Sequence, residues 1–491
     1  MEHMSSVHGA PAARHASSID VPLFVDLDGT LMRSDSLYES LCLLCKSQPW
    51  AIALLPGWLM RGKAYFKAQV AARVGPDVSK WPYNEALVRY LEEQKAAGRR
   101  LVLATAANRK IAERVSEHLA LFDAVIASDD HDNRSGNSKL AAIQDSIGTR
   151  AFSYAGNAHR DLVVWRGAQA AVLVDVPKWV ESEVITTTPV EAKFAREQVK
   201  LSIYLKAIRV HQWLKNVLVL MPVLPVLRYP DLGQLMHVLG AFFAFSFCGS
   251  AVYIFNDLID LESDRGHPHK RTRPFAAGLL SIATGLSLLV LFLGTGLLLA
   301  SLTSSAFLAV LLLYLVVTTL YSLRLKEIPI VDVIVLASLY TARVVGGAAA
   351  TDLPLSFWIL AFSTTLFLSL ALVKRCAELR LINGHGCQVI EGRGYHTTDL
   401  QILQNLGVAS GLMSVVVLGV YITAPTTSQF FKNPDLLGLL CVVLLYWICR
   451  VWIKAHRGEM HDDPVLFAAR DRVSQYLVML GAAIVAAVVW L

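Results

Sequence analysis

Charge is what this sequence has least of. Among its 491 residues 17% are Asp, Glu, Lys or Arg, while 54% are hydrophobic and the mean hydropathy is +0.47. A soluble domain carries about 25% charge. The deficit is uneven: composition is that of an ordinary globular protein up to about Lys200 and strongly apolar beyond it. The first 18 residues lack an apolar core, so they make a poor signal peptide and read as a flexible tail. A second cysteine pair is also lacking. Cys42 and Cys45 form one lone C-x-x-C in an apolar run, and the seven scattered cysteines read as buried helix residues, not as a zinc or redox centre. The net charge of +6 is small, and no nucleic-acid partner is expected. The length exceeds what one hydrophobic core organises, so two or more domains are expected.

Long apolar runs supply the rest. Stretches near 216–231, 236–256, 278–301, 304–322, 328–350, 355–373, 402–424, 433–453 and 474–491 read as helices able to cross a hydrocarbon layer of roughly 30 Å, the first being short for it. They predict about nine spans. One set of connections holds Arg265, Lys270, Arg271 and Arg273, then Arg324 and Lys326, then Lys374, Arg375, Arg380 and Arg393, then Lys454, Arg457, Arg470 and Arg472. The other set holds little beyond Arg228 and Lys432. The positive-inside rule places the first set, with the N-terminal part, on the cytoplasmic side of the cell's inner membrane.

Polar groups gather in the same cytoplasmic connections. In YIFNDLIDLESDRGHPHKRTRPFAAG, continuation of the helix at about 100° per residue puts Asn256, Asp257, Asp260 and Asp264 within one arc, with Glu262 and Arg265 outside it. Three acids on one face repel one another unless a cation lies among them. Mg²⁺ prefers oxygen ligands and commonly bridges carboxylates to substrate phosphates. Lys270, Arg271 and Arg273 follow and could meet further phosphate oxygens. The alternative is a solvated helix end with internal ion pairs.

On N-D-x-x-D-x-x-x-D followed by R-P, residues 200–491 resemble the UbiA superfamily. The resemblance implies an all-α membrane domain of nine helices around a cavity, with that motif holding Mg²⁺ and a diphosphate. RVHQWLKN, DRGHPHKRTRP, YSLRLKEIPIVD, KRCAEL and DPVLFAARDRVS look like the branch that transfers phosphoribose from phosphoribosyl diphosphate to a polyprenyl (decaprenyl-like) phosphate. Members using prenyl diphosphate usually carry a second D-x-x-x-D motif after the fourth helix; here that region supplies only Asp332, with Lys326 and Arg343 near it. Arg209, Lys215, Lys326, Arg343, Lys374 and Arg375 are the candidate cations for the donor and the lipid phosphate. For an isolated Lys or Arg, headgroup contact is the plainer role. Arg343 differs because a charge inside a span is costly and faces an internal polar site; Gly346 and Gly347 just beyond it permit close packing. Asp463 and Asp471 read as supporting partners or as ordinary loop salt bridges. The other reading of this half is an aromatic prenyltransferase in quinone-type lipid synthesis. A lipid-binding transporter is a third, disfavoured by the clustered acids.

In the N-terminal part, VPLFV leads into DLDGT. A strand ending in D-x-D-G-T resembles the first motif of haloacid-dehalogenase-like phosphatases, an α/β Rossmannoid fold with a helical cap. The resemblance implies Asp26 as nucleophile, Asp28 as general acid/base, Thr105 and Lys139 on the phosphate, and Asp26, Asp28, Asn157 and Asp161 around Mg²⁺. Asn157 stands where such motifs commonly have an acid. The expected layout is a phosphatase domain over 19–180, its cap near 34–98, a linker over 181–200, and the membrane transferase from 201. Within the cap, QPWAIALLPGWLMRGKAYFK either lies on the membrane surface or is buried in the cap. The fusion suggests two successive reactions, phosphoribosyl transfer to the lipid and then removal of the 5-phosphate to leave polyprenyl-phosphoryl-ribose.

Overall fold

VPLFV becomes strand β1 (Leu23–Val25), with no residue of it exposed. A strand covered on both faces belongs at the centre of a parallel sheet, and here a six-stranded sheet forms around it. The other strands are β2 (Leu101–Asn108), β3 (Ala124–Ser128), β4 (Ser153–Gly156), β5 (Ala170–Val174) and β6 (Val190–Phe194). Their order is β3-β2-β1-β4-β5-β6, and every neighbouring pair is parallel. Alternation along the strands divides the core: Leu23, Val25, Leu101 and Leu103 enter one apolar cluster, Phe24, Val102 and Ala104 the other. In this doubly wound order the crevice lies at the carboxyl ends of the strands where the winding reverses, beside β1.

The computed structural model describes residues 20–129, 132–148, 150–195, 199–226, 231–383, 393–424, 434–460 and 464–490. The expected tail, Arg228, Lys432 and Asp463 lie outside them. The chain divides into two units, one running to Ala207 and including Ile254–Ser287, the other made of Ile208–Tyr253 and Leu288–Leu491. The aspartate motif therefore belongs with the soluble sheet, although it ends a membrane helix.

Two expected boundaries move. Residues 181–200, read as a linker, carry the end of the helix Lys178–Thr187 and all of β6. The helix Glu85–Ala96, placed in the cap, sends Leu87 and Leu91 into the main core. The cap proper keeps a small core of its own, Leu44, Ala51, Trp58, Val70 and Val74, with the Arg73 guanidinium 4.4 Å from the Trp58 ring centre. Folding divides the side chains of QPWAIALLPGWLM. Ala51 and Trp58 point inward, while Trp50, Ile52, Leu54, Leu59 and Met60 remain exposed.

In the membrane half, seven helices are long and apolar enough to cross: Leu232–Ile259, Ile282–Thr303, Ser305–Leu323, Val331–Thr351, Phe357–Arg380, Thr397–Thr423 and Gly438–His456. An eighth is the pair Pro464–Arg470 and Arg472–Val488, bent by 85°. The first expected span is wound as a 3-10 helix, Val210–Val226. Gly347 explains how closely this segment packs on Val331–Thr351: a Cβ there would lie 2.0 Å from the Val219 carbonyl oxygen. The nine apolar stretches thus become seven or eight spans among the described residues plus one 3-10 segment.

Strand β6 is locked onto the sheet by one buried guanidinium. Arg99 pairs with Glu191 and also donates to Ser153 Oγ at 2.8 Å and to the Val21 carbonyl at 2.8 Å. Burial raises the Glu191 pKa, but hydrogen bonds from Arg99 and Tyr90 outweigh it and hold that pKa below its usual 4.5. Stability from this pair is therefore full above the ordinary glutamate range and is lost as pH falls through the depressed value. Arg99→Ala is expected to destabilise the soluble unit by about 3–5 kcal/mol at neutral pH. Chemical denaturation at pH 7 and pH 4 checks this: the gap between variant and parent should narrow at the lower pH.

Candidate functional sites

The first site forms where β1 stops. Asp26 follows the strand and Asp28 lies two residues on, just before Gly29, whose φ of +76° turns the chain. A Cβ at Gly29 would come within 2.0 Å of Asn157 Nδ2, so the glycine lets the turn approach the β4 end. Lys139 Nζ donates to Asp26 Oδ1 at 2.8 Å and to the Tyr154 hydroxyl at 2.8 Å. It also stands 3.8 Å from Asp161 Oδ1. Tyr154 donates to Asp161 Oδ1 at 2.9 Å, and the backbone N–H groups of Asn157 and Ala158 donate to Asp161 Oδ2. The structure thus joins Asp26, Lys139 and Asp161 in one buried group, with Tyr154 as a connector that the sequence did not signal.

Asp28 faces the cap. The Ser36 N–H donates to its Oδ1 at 2.7 Å and the Ser36 hydroxyl to its Oδ2 at 3.1 Å. Burial, then the nearby charges of Asp35 and Asp26, push its carboxyl up to about 7. Burial also raises Asp26, against the opposing charge of Lys139. Thr105 departs from expectation. It is fully enclosed, its hydroxyl accepting the Ala107 N–H at 3.0 Å, and Ala106, Ala107 and Asn108 line the cavity in its place.

That cavity is about 770 Å³ and is open to solvent. Asp26, Asp28, Lys139 and Asn157 line it, and Arg33, Lys63, Lys67 and Arg160 add positive charge to the lining. Lys67 donates to the Ala106 carbonyl at 2.7 Å and to Asn133 Oδ1 at 3.0 Å, and burial lowers its pKa. Acids beside a cationic wall suit a phosphate monoester with a bound divalent ion.

The second site is the aspartate motif. The helix Leu232–Ile259 gives way at Asp260 to the short helix Leu261–Gly266, yet the Asp260 N–H still donates to the Asn256 carbonyl and the Asp264 N–H to the Asp260 carbonyl. Helical spacing therefore persists through the motif. Arg273 donates to Asp257 Oδ1 at 3.1 Å and to Asp264 Oδ2 at 2.7 Å, so these two buried acids converge on one cation. Asp260 turns to Lys46, 2.7 Å away on the helix Ser36–Ser47. Asn256 is half-buried, and Lys270 and Arg271 are exposed. Among the described residues no three Asp, Glu, His or Cys side chains already converge as a metal cage. Cations of the protein itself occupy that position at both sites.

Arg265, outside the expected acid face, does something that helical spacing did not reveal. It pairs with Glu39 through two hydrogen bonds, of 3.0 and 2.7 Å, with both side chains buried. Glu39 also accepts from the Ser34 hydroxyl at 2.5 Å, and Arg265 Nε donates to the Ala276 carbonyl at 3.0 Å. Glu39 lies one helical turn beyond Ser36, the residue that holds Asp28. The motif and the cap are therefore fastened through one desolvated pair.

In the second unit Arg343 is buried within its span. It donates to Asn216 Oδ1 at 2.8 Å, to the Tyr314 hydroxyl at 3.0 Å and to the Leu339 carbonyl, with the Tyr314 and Tyr340 ring centres 5.0 and 5.5 Å away. Lys215 lies 5.4 Å from the same Tyr340 ring, so these two predicted cations share one aromatic wall. Arg209 lies over Tyr253. Asp332 and Arg375 have no exposed surface and pair with each other. Tyr395 donates to the other Asp332 oxygen, and Arg375 also meets Glu378 and Tyr321. They form a closed network instead of a phosphate-facing pair. Lys326 and Lys374 are half-buried, and Asp471 is taken by Arg450 at 2.7 Å.

A parallel α/β unit whose first strand runs into a D-x-D-G-T turn, joined to a bundle of apolar spans, defines a multi-pass membrane protein with a haloacid-dehalogenase-like domain. Residues 23–151 match the haloacid dehalogenase-like hydrolase model and residues 219–470 that of the UbiA prenyltransferase family. The protein y4nM of Sinorhizobium fredii is 35% identical over 96% of this chain and 90% of its own length. The nodulation protein NoeC of Azorhizobium caulinodans is 36% identical over 57% of this chain and 91% of its own. The decaprenyl-phosphate phosphoribosyltransferase of Mycobacterium tuberculosis is 32% identical over 58% of this chain and 93% of its own. The chain belongs to the UbiA prenyltransferase family.

The Glu39–Arg265 pair gives a direct test. Removing one partner of a buried pair leaves the other charge uncompensated, at a cost of about 3–5 kcal/mol. Arg265→Ala is expected to release the segment 261–278 from the cap. Its amide exchange should quicken about a hundredfold or more, with strands β1 and β4 still protected.

Proposed function

We propose that the membrane half transfers 5-phosphoribose from phosphoribosyl diphosphate to a polyprenyl phosphate and that the soluble domain then removes the 5-phosphate. The observation that carries the donor assignment is Asp332. Both of its oxygens are engaged, by Arg375 and Tyr395, in a fully buried network. Among the described residues a second acid cluster of the kind expected for a prenyl-diphosphate enzyme is thus not supported, which leaves the Asn256–Asp264 motif as the candidate diphosphate site. The relative named decaprenyl-phosphate phosphoribosyltransferase supports the same choice.

In the transfer, an oxygen of the lipid phosphate forms a bond to the anomeric carbon as the bond from that carbon to pyrophosphate breaks. The acceptor is already anionic and needs no general base. Cations must offset its repulsion from the donor, a role for Arg273, Lys270 and Arg271 at the motif. Mg²⁺ held by Asp257, Asp260 and Asp264, with Asn256, would neutralise the departing pyrophosphate. Convergence of Asp257 and Asp264 on one guanidinium fits such an ion.

In the hydrolysis, Asp26 attacks phosphorus and the ester oxygen leaves with a proton from Asp28. A carboxyl lifted to about 7 is suitably protonated for this near neutral pH. Asp28 then takes a proton from the water that cleaves the aspartyl phosphate. Lys139 holds the phosphoryl oxygens, and a divalent ion on Asp26 and Asp161, beside Asn157, would balance the remaining charge.

The two reactions separate by mutation. Asp264→Asn is expected to lower transfer by about 10²–10³-fold and to leave hydrolysis of a supplied phosphoribosyl lipid within a few-fold. Asp26→Asn should do the reverse, so that the 5-phosphorylated lipid accumulates. Chromatography of radiolabelled lipid products reads both; equal loss of both activities in each variant would contradict the division.

A further inference from the structure

We propose that the tip of the phosphatase cap, the segment Pro49–Lys63, inserts shallowly into an anionic lipid bilayer beside the mouth of the catalytic cavity. This contact is independent of the reactions assigned above.

Pro49–Met60 is apolar but, at 12 residues, too short to cross a membrane. Folding leaves its apolar side chains divided in a way that core packing alone does not explain. Ala51 and Trp58 fill the cap interior, but Trp50 is 63% exposed, Ile52 46%, Leu59 55% and Met60 89%. Leu54 is exposed as well, which places five large apolar side chains within 11 residues of one surface element. Single exposed apolar residues are ordinary; a contiguous group marks an interaction site.

Charge identifies the occupant. Between Glu39 and Asp77 there is no acidic residue, while Lys46, Arg61, Lys63, Lys67 and Arg73 lie in that interval. Arg61 rests 5.3 Å from the Tyr65 ring centre and donates to its hydroxyl at 3.1 Å, directly after Met60. Lys46 is taken by Asp260 and Lys67 faces the catalytic cavity, which leaves Arg61 and Lys63 beside the exposed Trp and Met, the chemistry of an interfacial anchor on anionic lipid. A protein partner with a matching apolar and acidic face is the competing occupant. The bilayer is favoured because this chain is itself anchored in one by its spans.

The placement has a consequence for substrate. Leu59 and Lys63 line the catalytic cavity, as do Leu37, Leu41 and Phe66. One wall of the cavity is thus continuous with the apolar tip. A phosphorylated lipid could present its headgroup to Asp26 with its chain still in the bilayer, whereas a soluble sugar phosphate makes no use of this wall.

The test uses the full chain in nanodiscs of phosphatidylethanolamine and phosphatidylglycerol, with photoreactive benzoylphenylalanine in place of Met60. Trp179, 59% exposed on the same domain, is replaced likewise as the control position. After irradiation, mass spectrometry of the tryptic peptides is expected to find a lipid adduct at position 60 and none at 179. Adducts at 60 only to other peptides of the chain, or equal lipid labelling at both positions, would overturn the proposal, and so would the absence of any lipid adduct at 60. The reading involves no turnover, so failure of the phosphatase assignment would leave it intact.

Discussion

Acid groups that share a small buried space cannot all remain charged unless a cation stands among them, and both sites of this protein obey that constraint. Lys139 stands between Asp26 and Asp161; Arg273 stands between Asp257 and Asp264. Each is a surplus of carboxylate oxygens around a single positive group, the electrostatic arrangement that also accepts a divalent ion and a phosphate. The two sites differ in what supports them. The first rests on the ends of β1 and β4 in a rigid sheet, whereas the second hangs on the end of a membrane helix and is secured by Glu39 and Arg265.

Much of the first site was legible because its determinants are local. A buried apolar strand running into D-x-D-G-T needs no distant residue to be recognised, and the alternation of VPLFV places it centrally. The convergence of Asp257 and Asp264 was likewise within reach, because helical spacing sets a common face that the hydrogen bonds of the turn preserve, whereas Asp260, expected with them, turns to Lys46. Strand β6 was missed since ITTTPVEAKF looks like a polar connector. Its pairing depends on Arg99, far earlier in the chain, meeting Glu191.

What spacing could not supply was pairing between distant residues. Arg265 meets Glu39 across 226 positions and Lys46 meets Asp260 across 214. The reading of Arg375 as a phosphate cation and of Asp332 as a substrate group failed for the same reason. Each is the other's partner across 43 positions, with no surface left for a ligand. Arg343 came closer to expectation: a charge within a span did mark an internal polar site, furnished by Asn216 at the end of RVHQWLKN and by the Tyr314 hydroxyl, which no motif announced. Thr105 shows that an expected strand end can fall short by three residues, because β2 runs on to Asn108 and brings Ala106, Ala107 and Asn108 to the cavity.

The central claim is that the acids of the membrane motif serve a pyrophosphate leaving a sugar. Purified wild-type protein in nanodiscs, given polyprenyl phosphate with an equimolar mixture of phosphoribosyl diphosphate and a prenyl diphosphate, tests it most directly through the mass of the lipid product. The account predicts a gain equal to ribose joined through the lipid phosphate, with or without its 5-phosphate. With an aromatic acceptor also present, a prenylated ring and no sugar-bearing lipid would contradict it.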